Sequence, residues 1–300
     1  RSYILRITFL AACLLLLART IASAQDMALS GLLIEGEDWQ LVAEGYKFTE
    51  GPAADTQGQV YFTDIPNSRI HRIGLDDKVT LFADATASTN GLMFGPDGLL
   101  YGCRNGEKKI VTYDANAKVQ VVAEGVDSND LVVAGNGAVY FTDPPGGRVW
   151  YINPQREKRI VAEGLRPNGV IHWPDQGTLV VTDSIEPVLW TFRVEPDGTL
   201  TNKDRYYGPL QMLPLSDRTG SDGMTVDSLG RLYVTTRVGL QMFDPTGRLG
   251  GTICKPHPGP LSNVCFGGLR LDTLFVTAGD KVFKRRTQAT GVRYGTPAAK

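Results

Sequence analysis

The chain has 300 residues, 42% of them hydrophobic and 21% charged, and a formal net charge of −1. That balance supports a sizeable folded core and excludes a disordered polyelectrolyte. Lys and Arg are spread along the chain, which excludes the clustered basic face of a nucleic-acid binder.

At the N-terminus, Arg1 and Arg6 flank a basic region, an apolar run covers residues 7–18, and Ala22-Ser23-Ala24 precedes Gln25. This is the pattern of a secretory signal peptide with its cleavage site. Residues 1–24 are therefore read as a signal peptide, 25–38 as a lead-in, 39–286 as one domain and 287–300 as a C-terminal tail. The protein is expected to be exported, to a periplasm or the exterior, with no membrane span left after cleavage. Beyond residue 24 the cysteines are Cys103, Cys254 and Cys265, with no C-x-x-C spacing for a thiolate zinc site or redox pair. Cys254 and Cys265 either bridge in an oxidising compartment or serve as small apolar residues.

From Glu50 onward one frame recurs. EGPAADTQGQVYFTD at Glu50 is followed by NGLMFGPDGLLYGCR at Asn90, NDLVVAGNGAVYFTD at Asn129 and NGVIHWPDQGTLVVTD at Asn168. DGMTVDSLGRLYVTT at Asp222 and NVCFGGLRLDTLFVTA at Asn263 complete the set, at steps of 40, 39, 39, 54 and 41 residues. Each copy reads as a polar residue, a short apolar strand, a turn, and a second strand rich in the aromatic and β-branched residues that suit a pleated surface. Two further strands follow in most copies, as at Arg69–Ile73 and Val79–Ala83, Lys109–Tyr113 and 119–122, and Arg148–Ile152 and 159–162. Four short antiparallel strands per roughly 40 residues is the unit of a propeller blade. The fold class is all-β: a six-bladed β-propeller with four antiparallel strands per blade. The last copy lacks an outer strand, and the segment from Trp39 to Gly45 resembles the outer strands of other copies, so an N-terminal strand is expected to close the ring. The long step places about 14 extra residues between Asn202 and Ser221, a loop in which Tyr206 and Tyr207 are expected to pack on a blade. The basic stretch from Lys281, with Arg285 and Arg286, reads as a solvated terminus.

The residues that open the repeats, Glu50, Asn90, Asn129, Asn168, Asp222 and Asn263, lie at the starts of the innermost strands, and the fold directs them to the central channel. Singly, Asn and Asp at such places cap turns. Together, two carboxylates among amides in a confined channel call for a cation. Oxygen donors without thiolate or a placed imidazole suit Ca²⁺ first, then Mg²⁺ or Mn²⁺, with Zn²⁺ where a site stays open.

EGP at Glu50, SNDL at Ser128, YFTDPP at Tyr140, RPNGV at Arg166, SDGM at Ser221 and NVCFGG at Asn263 together resemble the SMP-30/gluconolactonase/LRE family, over about Leu41 to Lys284. The resemblance implies a six-bladed propeller with one divalent cation in the channel. By it, Glu50, Asn168 and Asp222 match the core metal ligands, and Asn129 matches a position on or beside the metal and substrate. Asp222 also matches the proposed general base. The implied activity is hydrolysis of a sugar lactone to the aldonic acid, a carboxylic-ester hydrolysis in which the cation acts as Lewis acid and Asp222 accepts or positions the proton of water. Asn90, Asn129 and Arg104 are candidate groups for binding substrate hydroxyls. Two other readings use the same channel: an organophosphate or aryl-ester hydrolase, and a non-catalytic binding propeller with a structural metal. Two departures bear on substrate. Asp127 stands where some members place a substrate-binding Arg, and Gly146-Gly147 follow Pro144-Pro145 where many relatives carry an aromatic. The expected partner is a small-molecule lactone, with no nucleic acid.

Overall fold

The chain is described by a computed structural model over residues 29–293, so the signal peptide read at residues 1–24 and residues 294–300 lie outside the described part. Within it the repeats form six separate four-stranded antiparallel sheets, with two three-residue 3-10 turns between strands. The innermost strands of blades 1 to 6 are Thr49–Ala54, Thr89–Phe94, Leu131–Val133, Pro167–His172, Met224–Val226 and Asn263–Gly267.

Burial within a blade follows its position in the ring. In blade 1 the second strand, Val60–Asp64, is buried throughout, whereas the fourth, Val79–Ala83, leaves Thr80 and Leu81 exposed. A middle strand is covered on both faces by neighbouring blades, so its residues need not alternate. Aromatic rings fill the gaps between blades: Tyr61 meets Phe94 edge-on at 5.1 Å, and Tyr233 meets Phe266 at 5.3 Å.

The ring is closed by the N-terminal strand. Gln40–Glu44 pairs antiparallel with Lys281–Arg286, giving blade 6 the order Gln40–Glu44, Lys281–Arg286, Thr273–Ala278, Asn263–Gly267. The expectation of a solvated terminus from Lys281 is thereby corrected: these residues form an interior strand, hydrogen-bonded on both sides. The tail and lead-in drawn around the domain are also packed where they are described. Thr287 bridges Leu33, Gly291 bridges Asp227, and Leu32 and Ala289 are buried. Short apolar residues with satisfied backbone groups hold both segments on the ring, where sequence alone showed only a lack of strand pattern.

The long insertion packs between blades 4 and 5. Tyr207 is buried and accepts a 2.7 Å bond from Trp173 Nε1, while the Tyr206 hydroxyl donates to the Pro245 carbonyl at 2.8 Å. Cys103, Cys254 and Cys265 are free thiols, the first and last buried. His172 is buried against Tyr140 in an edge contact at 5.3 Å, away from the channel-facing residues. Among the described residues no helix is long and apolar enough to cross a membrane.

Removing the chain before Tyr46 strips four ladder pairs from Lys281–Arg286 and opens that edge. At about 1 kcal/mol per net hydrogen bond, a loss of about 3–5 kcal/mol is expected. Urea unfolding followed by circular dichroism checks it, and an unchanged midpoint would mean that the strand does not close the ring.

Candidate active site in the central channel

The innermost strands deliver their first residues to one end of the channel because each turn there is tightly packed. Gly51 has φ +51°, and a Cβ on it would lie 2.5 Å from the Asn90 carbonyl oxygen of the next blade. A Cβ on Gly223 would lie 2.0 Å from Asn263 Cγ. Only glycine allows such approach between neighbouring blades. Threonines one strand further out fix the same turns. Thr142 Oγ1 donates to Asn168 O at 2.5 Å, Thr182 Oγ1 accepts from Gly169 N at 2.7 Å, and Thr235 Oγ1 is within 3.0 Å of the Gly223 and Ser262 carbonyls.

Apart from Asp227, which is paired with Arg231 at 2.6 Å, the buried acids and Asp222 fall into two kinds. Asp64, Asp143 and Asp183, which end second strands, are tied down by loop N–H groups and, for the last two, by the indoles of Trp150 and Trp190. They organise loops. Glu50, Asp130 and Asp222 instead crowd the channel. Glu50 is buried, and its carboxyl is pushed up to about 8 by loss of solvent and then by the charge of Asp130. Asp130 is pushed up to about 7 by burial. Asp222, half-buried at the channel wall, is raised well above the usual carboxylate range by desolvation and by the charges of Glu50 and Asp130. One neutral group offsets this repulsion. Asn263 Nδ2 donates to Glu50 Oε2 at 3.1 Å and to Asp130 Oδ2 at 3.2 Å. Asn263 belongs to blade 6 and Asp130 opens blade 3, on the opposite side of the ring, so this amide spans the axis.

Asp130 was not among the residues singled out from the sequence. A signal was present: four of the six repeats place glycine after the channel residue, as Gly51, Gly91, Gly169 and Gly223, whereas Asn129 is followed by an acid. Of the residues that were singled out, Glu50 and Asp222 are brought within electrostatic reach of each other. Asn168 lies at the channel with its Oδ1 buried and unpaired among the described residues. Asn90 is buried and Asn129 half-buried at the same end. The backbone there links blades 2 and 3, Gly91 N donating to Asn129 O at 2.9 Å. Arg104 is committed elsewhere: its guanidinium donates to Ala85 O and to Glu107 Oε1, both at 3.1 Å, so a sugar hydroxyl must compete with an ion pair. Asp127 pairs with Lys108 at 3.3 Å, and Gly146 and Gly147 leave an open groove walled by Pro144, Leu165, Arg166 and Ile185.

Among the described residues no three His, Cys, Asp or Glu side chains are arranged as a metal cluster. The donors converging here include amides, and their chemistry fits a hard divalent cation: desolvated carboxylates that repel one another, and an amide oxygen with no donor.

A family model described as the SMP-30/gluconolactonase/LRE-like region matches residues 48–280. A gluconolactonase of Zymomonas mobilis is 28% identical, over 84% of this chain and 82% of that protein. A gluconolactonase structure from Xanthomonas campestris, described as important in glucose secondary metabolic pathways, is 27% identical at a TM-score of 0.76, covering 87% of this chain and 92% of that one. Regucalcin from Agrobacterium tumefaciens, a calcium-binding protein, shares the fold at a TM-score of 0.72 with 16% identity, over 88% of this chain and 98% of its own.

Gly223→Ala is expected to drive Asn263 off the axis and cost about 1–3 kcal/mol, as overpacking does when the neighbour cannot yield; calorimetric unfolding measures it. A pH profile tests the carboxylates. Their folded pKa values are raised, so the folded chain holds protons that the unfolded chain releases, and stability falls as pH rises toward about 8. His71 and His172, whose imidazoles burial pulls down, act in the opposite sense only below about 6.5. In chelator, the urea midpoint should therefore drop between pH 6.5 and 8.5, and Asp222→Asn should flatten the slope. A midpoint that rises over that interval contradicts the carboxylate crowding.

Proposed function

The chain belongs to the SMP-30/gluconolactonase/LRE-like family, and from this we propose that it hydrolyses a sugar lactone to the aldonic acid, as a carboxylic-ester hydrolase dependent on a divalent cation. The observation that carries the proposal is the electrostatic coupling of the Glu50 and Asp222 carboxylates, with the Oδ1 of Asn168, near the start of another innermost strand, buried and unpaired among the described residues. The relatives named as gluconolactonases support the substrate class.

Glu50, Asn168 and Asp222, with Asn129 on or beside them, are the residues that would hold the cation, and oxygen donors of this kind favour Ca²⁺. When bound, it supplies Lewis-acid polarisation of the lactone carbonyl and neutralises charge on the ring-opening oxygen. Glu50 is fixed for its role by bonds from Gly51 N at 2.8 Å and from Asn263. Asp222 accepts no hydrogen bond from the described residues and keeps an exposed edge, so its carboxylate is left to take or orient the proton of the attacking water. Asn90 and Asn129 line the same end and offer amides to the sugar hydroxyls. Arg104 serves there only by sharing its contact with Glu107. The open groove beside Gly146 and Gly147 removes a wall from the mouth, which admits substituents that an aromatic at this place excludes.

Chelator-stripped protein should regain acid release from aldonolactones on addition of Ca²⁺, Mg²⁺, Mn²⁺ or Zn²⁺ tested singly, with an organophosphate as the contrasting substrate. Asp222→Asn and Glu50→Gln should each lower kcat/KM by roughly 10³-fold or more, with the β-sheet circular dichroism intact. Full activity in either variant would falsify the assignment, and activity in the stripped protein equal to that in the reloaded one removes the cation from the reaction.

A further inference from the structure

Beneath the carboxylates the channel does not continue as a filled core. A cavity of about 280 Å³ occupies the axis, lined by side chains from all six innermost strands, among them Leu92, Met93, Leu131, Ile171, Met224 and Val264. Its inner end is Asp130 and the Asn263 amide, while Glu50, Asn168 and Asp222 are not part of its lining. Because Asn263 spans from blade 6 to Asp130, the amide is a roof that divides the axis into a polar mouth on one face and an apolar chamber toward the other.

The C-terminal segment lies at the rim of the chamber's far end, where Thr56 and Arg293 are exposed. Val292, Arg293 and Leu271 line it there. That segment is latched across the ring: Gly291 N donates to Leu271 O and Ser228 N to Thr290 O, both at 2.8 Å, and Arg293 donates to the Thr56 and Leu269 carbonyls at 2.7 and 3.3 Å. The latch lies beyond the last strand, so its release leaves every blade paired.

Most of the chamber's lining is apolar, Asp55, Thr56 and Thr225 being among the polar exceptions, and water against hydrocarbon walls is poorly ordered, since a buried water needs two to four polar partners. The charged groups of the lining are already engaged, Asp130 with Asn263 and Leu131 N, Asp55 with Gln57 N and Gln59 N, and Arg293 with two carbonyls. An apolar cavity of about 150 Å³ accommodates benzene. We propose that this chamber is a second binding site, distinct from the mouth, for one neutral hydrocarbon-rich molecule of roughly ten to twelve non-hydrogen atoms, on that scaling. It enters from the face opposite the carboxylates, beside the C-terminal segment. The site makes no demand on the reaction proposed for the mouth and stands or falls separately.

The test uses the full chain, with 1-aminonaphthalene as the probe and Ca²⁺ present. Saturable one-to-one binding with blue-shifted emission is expected, displaced by 1-decanol. Leu92→Trp and Leu131→Trp, which fill the chamber, should each weaken it at least tenfold. Crystals of the unaltered protein under xenon pressure give an independent reading, with density expected between Leu92 and Val264. Absence of xenon from the chamber overturns the proposal, as does probe affinity unchanged in both folded tryptophan variants.

Discussion

Glu50, Asp130 and Asp222 repel one another in a space largely stripped of solvent, and the centre of the molecule is arranged around that repulsion. Left alone, such a cluster stays partly protonated at neutral pH or pushes the blades apart. The Asn263 amide shares one nitrogen between two of the acids, which makes a neutral side chain the spacer of a charged site. Removing a spacer of this sort leaves buried charge without a partner, which costs more than the hydrogen bonds themselves. A bound cation would answer the same repulsion in another way, and would couple stability to loading.

The ring of threonines gives the acids their fixed positions. Thr142, Thr182 and Thr235 bond the backbone of channel turns from one strand away, so the donors are set by rigid sheet rather than by loop. A site held this way loses little freedom on binding, which favours a defined ligand geometry over an adaptable one. By contrast, Asp127 and Gly146-Gly147 lie in loops between strands.

The propeller was legible in the sequence because its strands recur with the same burial demand, and the inner-strand starts predicted from Glu50, Asn90, Asn168 and Asn263 agree with the structure. Closure by the segment after Trp39 was legible for the same reason. What failed to show was anything without periodicity: the packing of Leu32 and of Ala289. Asp130 was passed over because it sits one place beyond the repeat's marked position, where most copies have glycine. Arg104 looked available because sequence shows a charge and not its partner; Glu107 and Ala85 claim it through the fold of one turn.

Pairing Gln40–Glu44 with Lys281–Arg286 also sets an order of events. Gln40–Glu44 waits through the synthesis of all six inner strands before it has a partner, and Glu50 waits nearly as long for Asn263. Local hairpins of the early blades form while the chain is still growing, but the contact that finishes the channel spans most of its length and is entropically the slowest to make. An interrupted chain is therefore a stack of partial sheets with an uncovered edge and no assembled centre, a form more prone to aggregate than to act.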